Sequence, residues 1–89
     1  MEMILGGKHV AARSGATIDV FNPITHELID TVPSASAEDI DAALTIAQEG
    51  AKIWGAKTAD ERAKLINAAA GALMANQKKI AALLSTETG

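Results

Sequence analysis

The stretch Val32-Pro33-Ser34-Ala35-Ser36-Ala37-Glu38-Asp39-Ile40 decides how this chain is read, because the hydrophobic period changes inside it. Upstream, apolar residues alternate or flank glycine pairs, which is the texture of strands and turns; downstream they recur at helical spacing. Pro33 closes the last strand-like run, since proline has no amide to donate. Ser36 sits where a helix N-cap belongs. Glu38 and Asp39 fall in the first turn, where acids meet the positive end of the helix dipole. The chain divides accordingly into a strand region, residues 1–35, and a helical region, residues 36–89, an α+β arrangement.

Working back from that boundary, residues 28–32 read as a strand, with Leu28, Asp30 and Val32 on one side and Ile29 and Thr31 on the other. Residues 16–21 read as an edge or half-buried strand with Ile18 and Val20 on one face, and Asn22-Pro23 punctuates it. Arg13-Ser14-Gly15 reads as a reversal. Nearer the start, Gly6-Gly7 joins Met3-Ile4-Leu5 to residues 8–11 as a tight hairpin, because paired glycines accept the positive φ of primed turns.

Working forward, Ile40, Ala43, Leu44, Ala47, Ala51 and Trp54 make one apolar helical stripe, which Gly55 stops. Thr58-Ala59-Asp60-Glu61 fits a capping box, in which the threonine oxygen and the glutamate satisfy each other's free amides. Leu65, Ile66, Ala69 and Leu73 continue a second stripe. The short connection and small alanines predict an antiparallel helix pair. Asn76-Gln77 either kinks the second helix or caps a third one through Ile80, Leu83 and Leu84.

At 89 residues the chain supports at most one domain, and nineteen of its apolar residues are alanines, which gain little on burial. Such a chain is expected to lean on a partner surface. A net charge of −3 gives no electrostatic reason to bind nucleic acid. The absence of cysteine excludes a disulfide framework, a thiolate metal site and a thiol nucleophile within these residues. No basic start precedes the short apolar run Met3-Ile4-Leu5, and no run reaches the roughly 18 to 20 apolar residues of a membrane span. The cytoplasm is the default location.

Candidate chemical groups are sparse. His9 and His26 have no cysteine or helical i, i+4 partner with which to bind a metal, and read as surface or turn residues. Glu38, Asp39 and Asp41 are explained by their place in a first helical turn. Gly6-Gly7 is a turn and no phosphate loop, because no helix follows it. Lys78-Lys79 reads as a solvated helix face, Trp54 as core or interface packing, and Arg62 as a surface ion pair or a buried fork to a carboxylate.

Several short pieces in unbroken order carry a resemblance. They are Gly6-Gly7 with its strand, Asp19-Val20-Phe21-Asn22-Pro23, Val32-Pro33, the run from Ala35 to Ala43, Trp54, Glu61-Arg62, and Ser85-Thr86-Glu87-Thr88-Gly89. As an ordered set they resemble the first stretch of an NAD(P)-dependent aldehyde dehydrogenase. The family usually has a glycine soon after Asn-Pro-x-Thr; here Ile24-Thr25 leads to His26-Glu27, so His26 is expected in a turn conformation that glycine adopts more easily.

The resemblance implies a place in the N-terminal cofactor-binding domain of a longer α/β enzyme that uses NAD or NADP and forms homo-oligomers. It implies oxidation of an aldehyde to a carboxylic acid: a cysteine thiolate gives a thiohemiacetal, hydride passes to the nicotinamide, and a glutamate-activated water releases the acid. None of those catalytic parts, and no cofactor-binding glycine motif, lies between Met1 and Gly89, so this chain alone is expected to be inactive and to bind no cofactor. Its partner would be the remainder of the parent enzyme. In similar enzymes the backbone before the Asn-Pro step helps hold a structural monovalent cation, which nominates the carbonyls of Val20 and Phe21. The alternative reading is a stand-alone alanine-rich helical interaction module without catalysis.

Overall fold

A computed structural model describes all of residues 1–89. Four strands precede three helices: β1 (Met3–Leu5), β2 (Lys8–Val10), β3 (Thr17–Phe21), β4 (Leu28–Pro33), α1 (Ala37–Gly55), α2 (Ala59–Ala75) and α3 (Gln77–Thr88). The strands form two separate antiparallel pairs, β1 with β2 and β3 with β4, and the α+β class follows.

The first hairpin is as the glycine pair predicts. Leu5 pairs with Lys8, and Gly6 and Gly7 close the turn with φ of 58° and 75°, the left-handed values a two-residue primed turn needs. The Arg13-Ser14-Gly15 reversal also forms, with the Gly15 amide donating to the Ala12 carbonyl at 2.9 Å.

The strands read at residues 16–21 and 28–32 pair with each other, and the alternation expected for the second is broken at one point. Val20 pairs with Asp30 but Phe21 pairs with Leu28, so Ile29 is an extra residue and the ladder carries a β-bulge. Directly opposed residues share a face of a sheet, and Val20 and Phe21 point to opposite faces. Leu28 therefore lies on the Phe21 face, away from Asp30 and Val32, and the predicted grouping of these three side chains is broken by the bulge. Pro33 stands opposite Thr17. The bond from the Ser34 amide to the Ala16 carbonyl makes the adjacent pair a hydrogen-bonded one. Pro33 thus occupies a position whose amide would face away from β3, where its missing donor costs the ladder nothing.

Both predicted helix starts are present. Ser36 caps α1 and Thr58 caps α2, each with a reciprocal side-chain box, and α1 ends at Gly55. At Asn76 the helix breaks and a third begins. The Asn76 side chain donates back to the Ala72 carbonyl at 2.9 Å, so it closes α2 and gives α3 no side-chain cap.

The expected antiparallel packing of α1 on α2 is absent, because the only elements in extensive contact are the two strand pairs. The helices are splayed into a layer measuring 48 × 34 × 15 Å, and the radius of gyration is 16.7 Å. A compact domain of this length would have about 12 Å. Only Ala12 and Asp39 are buried among 89 residues. Alanine-lined stripes bury too little area for two helices to hold each other, so apolar side chains meant for a core stand open. What tertiary structure there is gathers at the ends of elements. A Cβ built on Gly6 would lie 3.4 Å from Cγ2 of Ile46, which sets the first hairpin against α1. One built on Gly89 would lie 3.3 Å from Cδ1 of Ile24, which sets the end of α3 against the tip of the second hairpin.

Candidate functional site

The carbonyls of Val20 and Phe21 lie in the last two residues of β3. The Asn22 amide donates to the Glu27 carbonyl at 2.9 Å, toward the partner strand. In a trans peptide the carbonyl points opposite to the following amide, so the Phe21 oxygen faces outward along the free edge of β3. Successive carbonyls of a strand alternate in direction, so the Val20 oxygen faces β4. The two oxygens therefore do not converge on one point, and Phe21 presents the outward one.

Immediately beyond, Asn22 organises the hairpin tip. Its Oδ1 accepts from the amides of Ile24 at 2.9 Å and Thr25 at 3.2 Å, while its own carbonyl accepts from the His26 amide at 2.9 Å. This is the side-chain turn that asparagine makes before a proline-initiated loop. His26 closes it with φ of 61°, the only non-glycine residue in the left-handed region, which is the conformation glycine adopts more easily. His9 has its Nδ1 4.0 Å from a Glu2 carboxylate oxygen on the open surface. No group of three or more His, Cys, Asp or Glu side chains is gathered as metal ligands would be.

The most connected polar group is Asp39, which sequence reading placed only as a first-turn acid. Its Oδ2 accepts from the Ser36 amide at 2.9 Å and from the Ser36 hydroxyl at 3.0 Å, and the Asp39 amide donates to that hydroxyl oxygen at 3.2 Å. The Arg13 amide donates to both carboxylate oxygens at 3.4 and 3.3 Å, and the Arg13 Nε lies 3.6 Å from Oδ1. Asp39 is 4% exposed, covered by the turn and cap around it and not by any deep core. The Ser36 backbone hydrogen bond is the largest influence on its acidity; with the bonds from the Ser36 hydroxyl and Arg13, it outweighs partial desolvation and holds the carboxyl below the usual aspartate range. The signal in the sequence was the Ser36-x-x-Asp39 spacing, a capping box with aspartate in the place of glutamate.

These residues do not fit a dinucleotide. The N-termini of α1 and α2 are each filled by a carboxylate of the chain itself, Asp39 and Glu61, where a pyrophosphate would need bare amides. The start of α3 follows directly on α2 at Asn76, without a glycine loop. Gly6-Gly7 leads into β2 and not into a helix.

The helices instead present apolar surface. Ile53, Leu44 and Ile40 on α1, Ile66 and Leu73 on α2, and Leu84 on α3 are all more than half exposed. Concave apolar surface lines the α2–α3 elbow on two sides, with Leu73 and Ile80 common to both. Trp54 is 39% exposed on the α1 stripe, and Arg62 is half-buried beside the second cap.

The layer of hairpins and capped helices carries no thiol and leaves most of its large apolar side chains open. The model of the aldehyde dehydrogenase family, a family of oxidoreductases, matches residues 9–89. The chain belongs to the aldehyde dehydrogenase family. The matched region takes in every element except β1 and the first residue of β2. No helix is long and apolar enough to cross a membrane.

Proposed function

We propose that these residues are the N-terminal structural part of an NAD(P)-dependent aldehyde dehydrogenase that oxidises an aldehyde to a carboxylic acid through a cysteine thiohemiacetal. The catalytic cysteine, the general base and the dinucleotide site lie in the remainder of the parent enzyme. Residues 1–35 and 36–89 both belong to its cofactor-binding domain, and the parent is a cytoplasmic homo-oligomer. One observation carries the reading: a chain that matches the family over residues 9–89 buries only two of its 89 residues by itself. The helices supply the faces on which the rest of the enzyme packs, and the Ser36 and Thr58 boxes fix where those helices begin. For the structural monovalent cation, of the two carbonyls Val20 and Phe21 only the outward Phe21 oxygen stands clear of the β4 pairing, which favours that residue as the direct ligand.

The test is aldehyde-dependent formation of NADH or NADPH, followed by absorbance, for the protein purified from its natural source and for residues 1–89 expressed alone. Activity is expected in the first, lost on thiol alkylation, and absent from the second. A natural protein of 9.2 kDa that reduces neither cofactor would overturn the reading in favour of a self-associating helical module.

A further inference from the structure

The two edges of the β3–β4 ribbon are protected unequally. On β4, Pro33 has no amide, the bulge displaces Ile29, and the Met1 ammonium donates to the Thr31 carbonyl at 3.3 Å while lying 3.5 Å from the Asp30 carboxylate. Each of these is a device that stops another strand from adding. On β3 none of these three is present, and its one charged residue is Asp19. Parity of the ladder, set by the bonds from Ser34 to Ala16 and from Asn22 to Glu27, turns the amides and carbonyls of Thr17, Asp19 and Phe21 outward. None of these three amides has a hydrogen-bond partner outside the strand pairing.

We infer that the β3 edge receives an added strand, supplied by the remainder of the same polypeptide, with a basic residue opposite Asp19 and apolar β-branched residues opposite Ile18 and Val20. This rests on the reading of the chain as part of a longer enzyme. The side chains select the occupant. On one face Ile18 and Val20 offer apolar neighbours; on the other Asp19 stands between Thr17 and Phe21, where a cation opposite is favourable and an anion is not. That arrangement argues against a second copy of β3. The full-length antiparallel self-pairing, Thr17 to Phe21 with Asp19 at the centre, sets two Asp19 carboxylates directly opposite each other. The Phe21 oxygen has two lone pairs, so pairing to a strand and contact with a cation are compatible there.

The experiment is residue-resolved hydrogen exchange on the natural, complete protein, after its intact mass has been measured. The amides of Thr17, Asp19 and Phe21 are expected to be protected to within tenfold of those of Ile18 and Val20, independently of protein concentration. Asp19→Lys is expected to lower protection at Thr17, Asp19 and Phe21 at least tenfold while leaving Ile18 and Val20 unchanged. Alternating exchange in the unaltered protein, with only Ile18 and Val20 protected, would show an open edge and overturn the inference. Protection that disappears on dilution would assign the strand to another molecule and overturn it too, as would rapid exchange throughout β3. An intact mass of 9.2 kDa overturns the underlying reading itself, which keeps the two failures distinct.

Discussion

The Nε of Arg13 lies 3.6 Å from Oδ1 of Asp39, and the amide of Arg13 donates to the same carboxylate, so one side chain ties the turn before β3 to the first turn of α1. The residues are 26 positions apart, and the tie joins the strand region to the helical region. Arg13 is well exposed, so its ion pair is screened and contributes modestly. The hydrogen bonds made by Asp39 carry most of the connection.

Asp39 therefore gives the structure an acid-sensitive point. Its carboxyl is held below the usual aspartate value, so the folded state binds fewer protons there than the unfolded chain does. The sign follows: its stabilising contribution is complete above about pH 5 and is lost as pH falls below about 3.9 and through the lowered folded value. Asp39→Asn should flatten this part of the acid dependence and reduce stability at neutral pH. Urea melts of both proteins between pH 3 and pH 7 measure it; equal acid slopes would contradict it.

Thr58 closes the second capping box, with its amide 2.8 Å from a Glu61 carboxylate oxygen and its hydroxyl oxygen accepting from the Glu61 amide at 3.2 Å. Thr58→Ala removes the acceptor from an otherwise unpaired helix amide. A loss of about 1 kcal/mol is expected, read from the midpoint of denaturant unfolding.

His26 occupies the left-handed region at φ 61°, where a Cβ is crowded by backbone. Replacing it with glycine keeps the amide that donates to the Asn22 carbonyl and removes the crowding. After the greater freedom of unfolded glycine is set against that relief, His26→Gly should stabilise by about 0.5–1 kcal/mol. A lower melting temperature for the variant would rule this out.

The open helix faces should be visible in solution. Residues 1–89 expressed alone are expected to bind an apolar-surface dye and to associate as concentration rises. Leu44→Glu with Leu73→Glu, both at exposed apolar positions, should reduce both signals. The same pair placed in the natural protein should destabilise it by several kcal/mol, because carboxylates would then be buried without partners. Sedimentation and thermal melts decide between the outcomes.

Local features were legible in the sequence because their causes are local. Gly6-Gly7 had to be a primed turn, Ser36 and Thr58 had to be caps, Gly55 was a stop, and the absent glycine after Thr25 pointed at His26. The bulge was not legible: Leu28, Ile29 and Val32 are all apolar, so the pattern does not say which residue the ladder will skip. The Arg13–Asp39 tie joins residues too distant for any spacing rule. The helix pair was misjudged because a stripe of alanines fits close packing without requiring it, and its larger side chains face outward here.

The layer is 15 Å thick, little more than one helix with its side chains. A body that thin has two faces and almost no interior, so its own packing sets few limits on which amino acids it accepts. Tolerance to substitution at Leu44, Ile53, Leu73 or Leu84 is then a property of the neighbour pressed against each position. A complete substitution scan of these residues within the natural protein would trace, position by position, the imprint of surfaces that belong to other parts of the molecule.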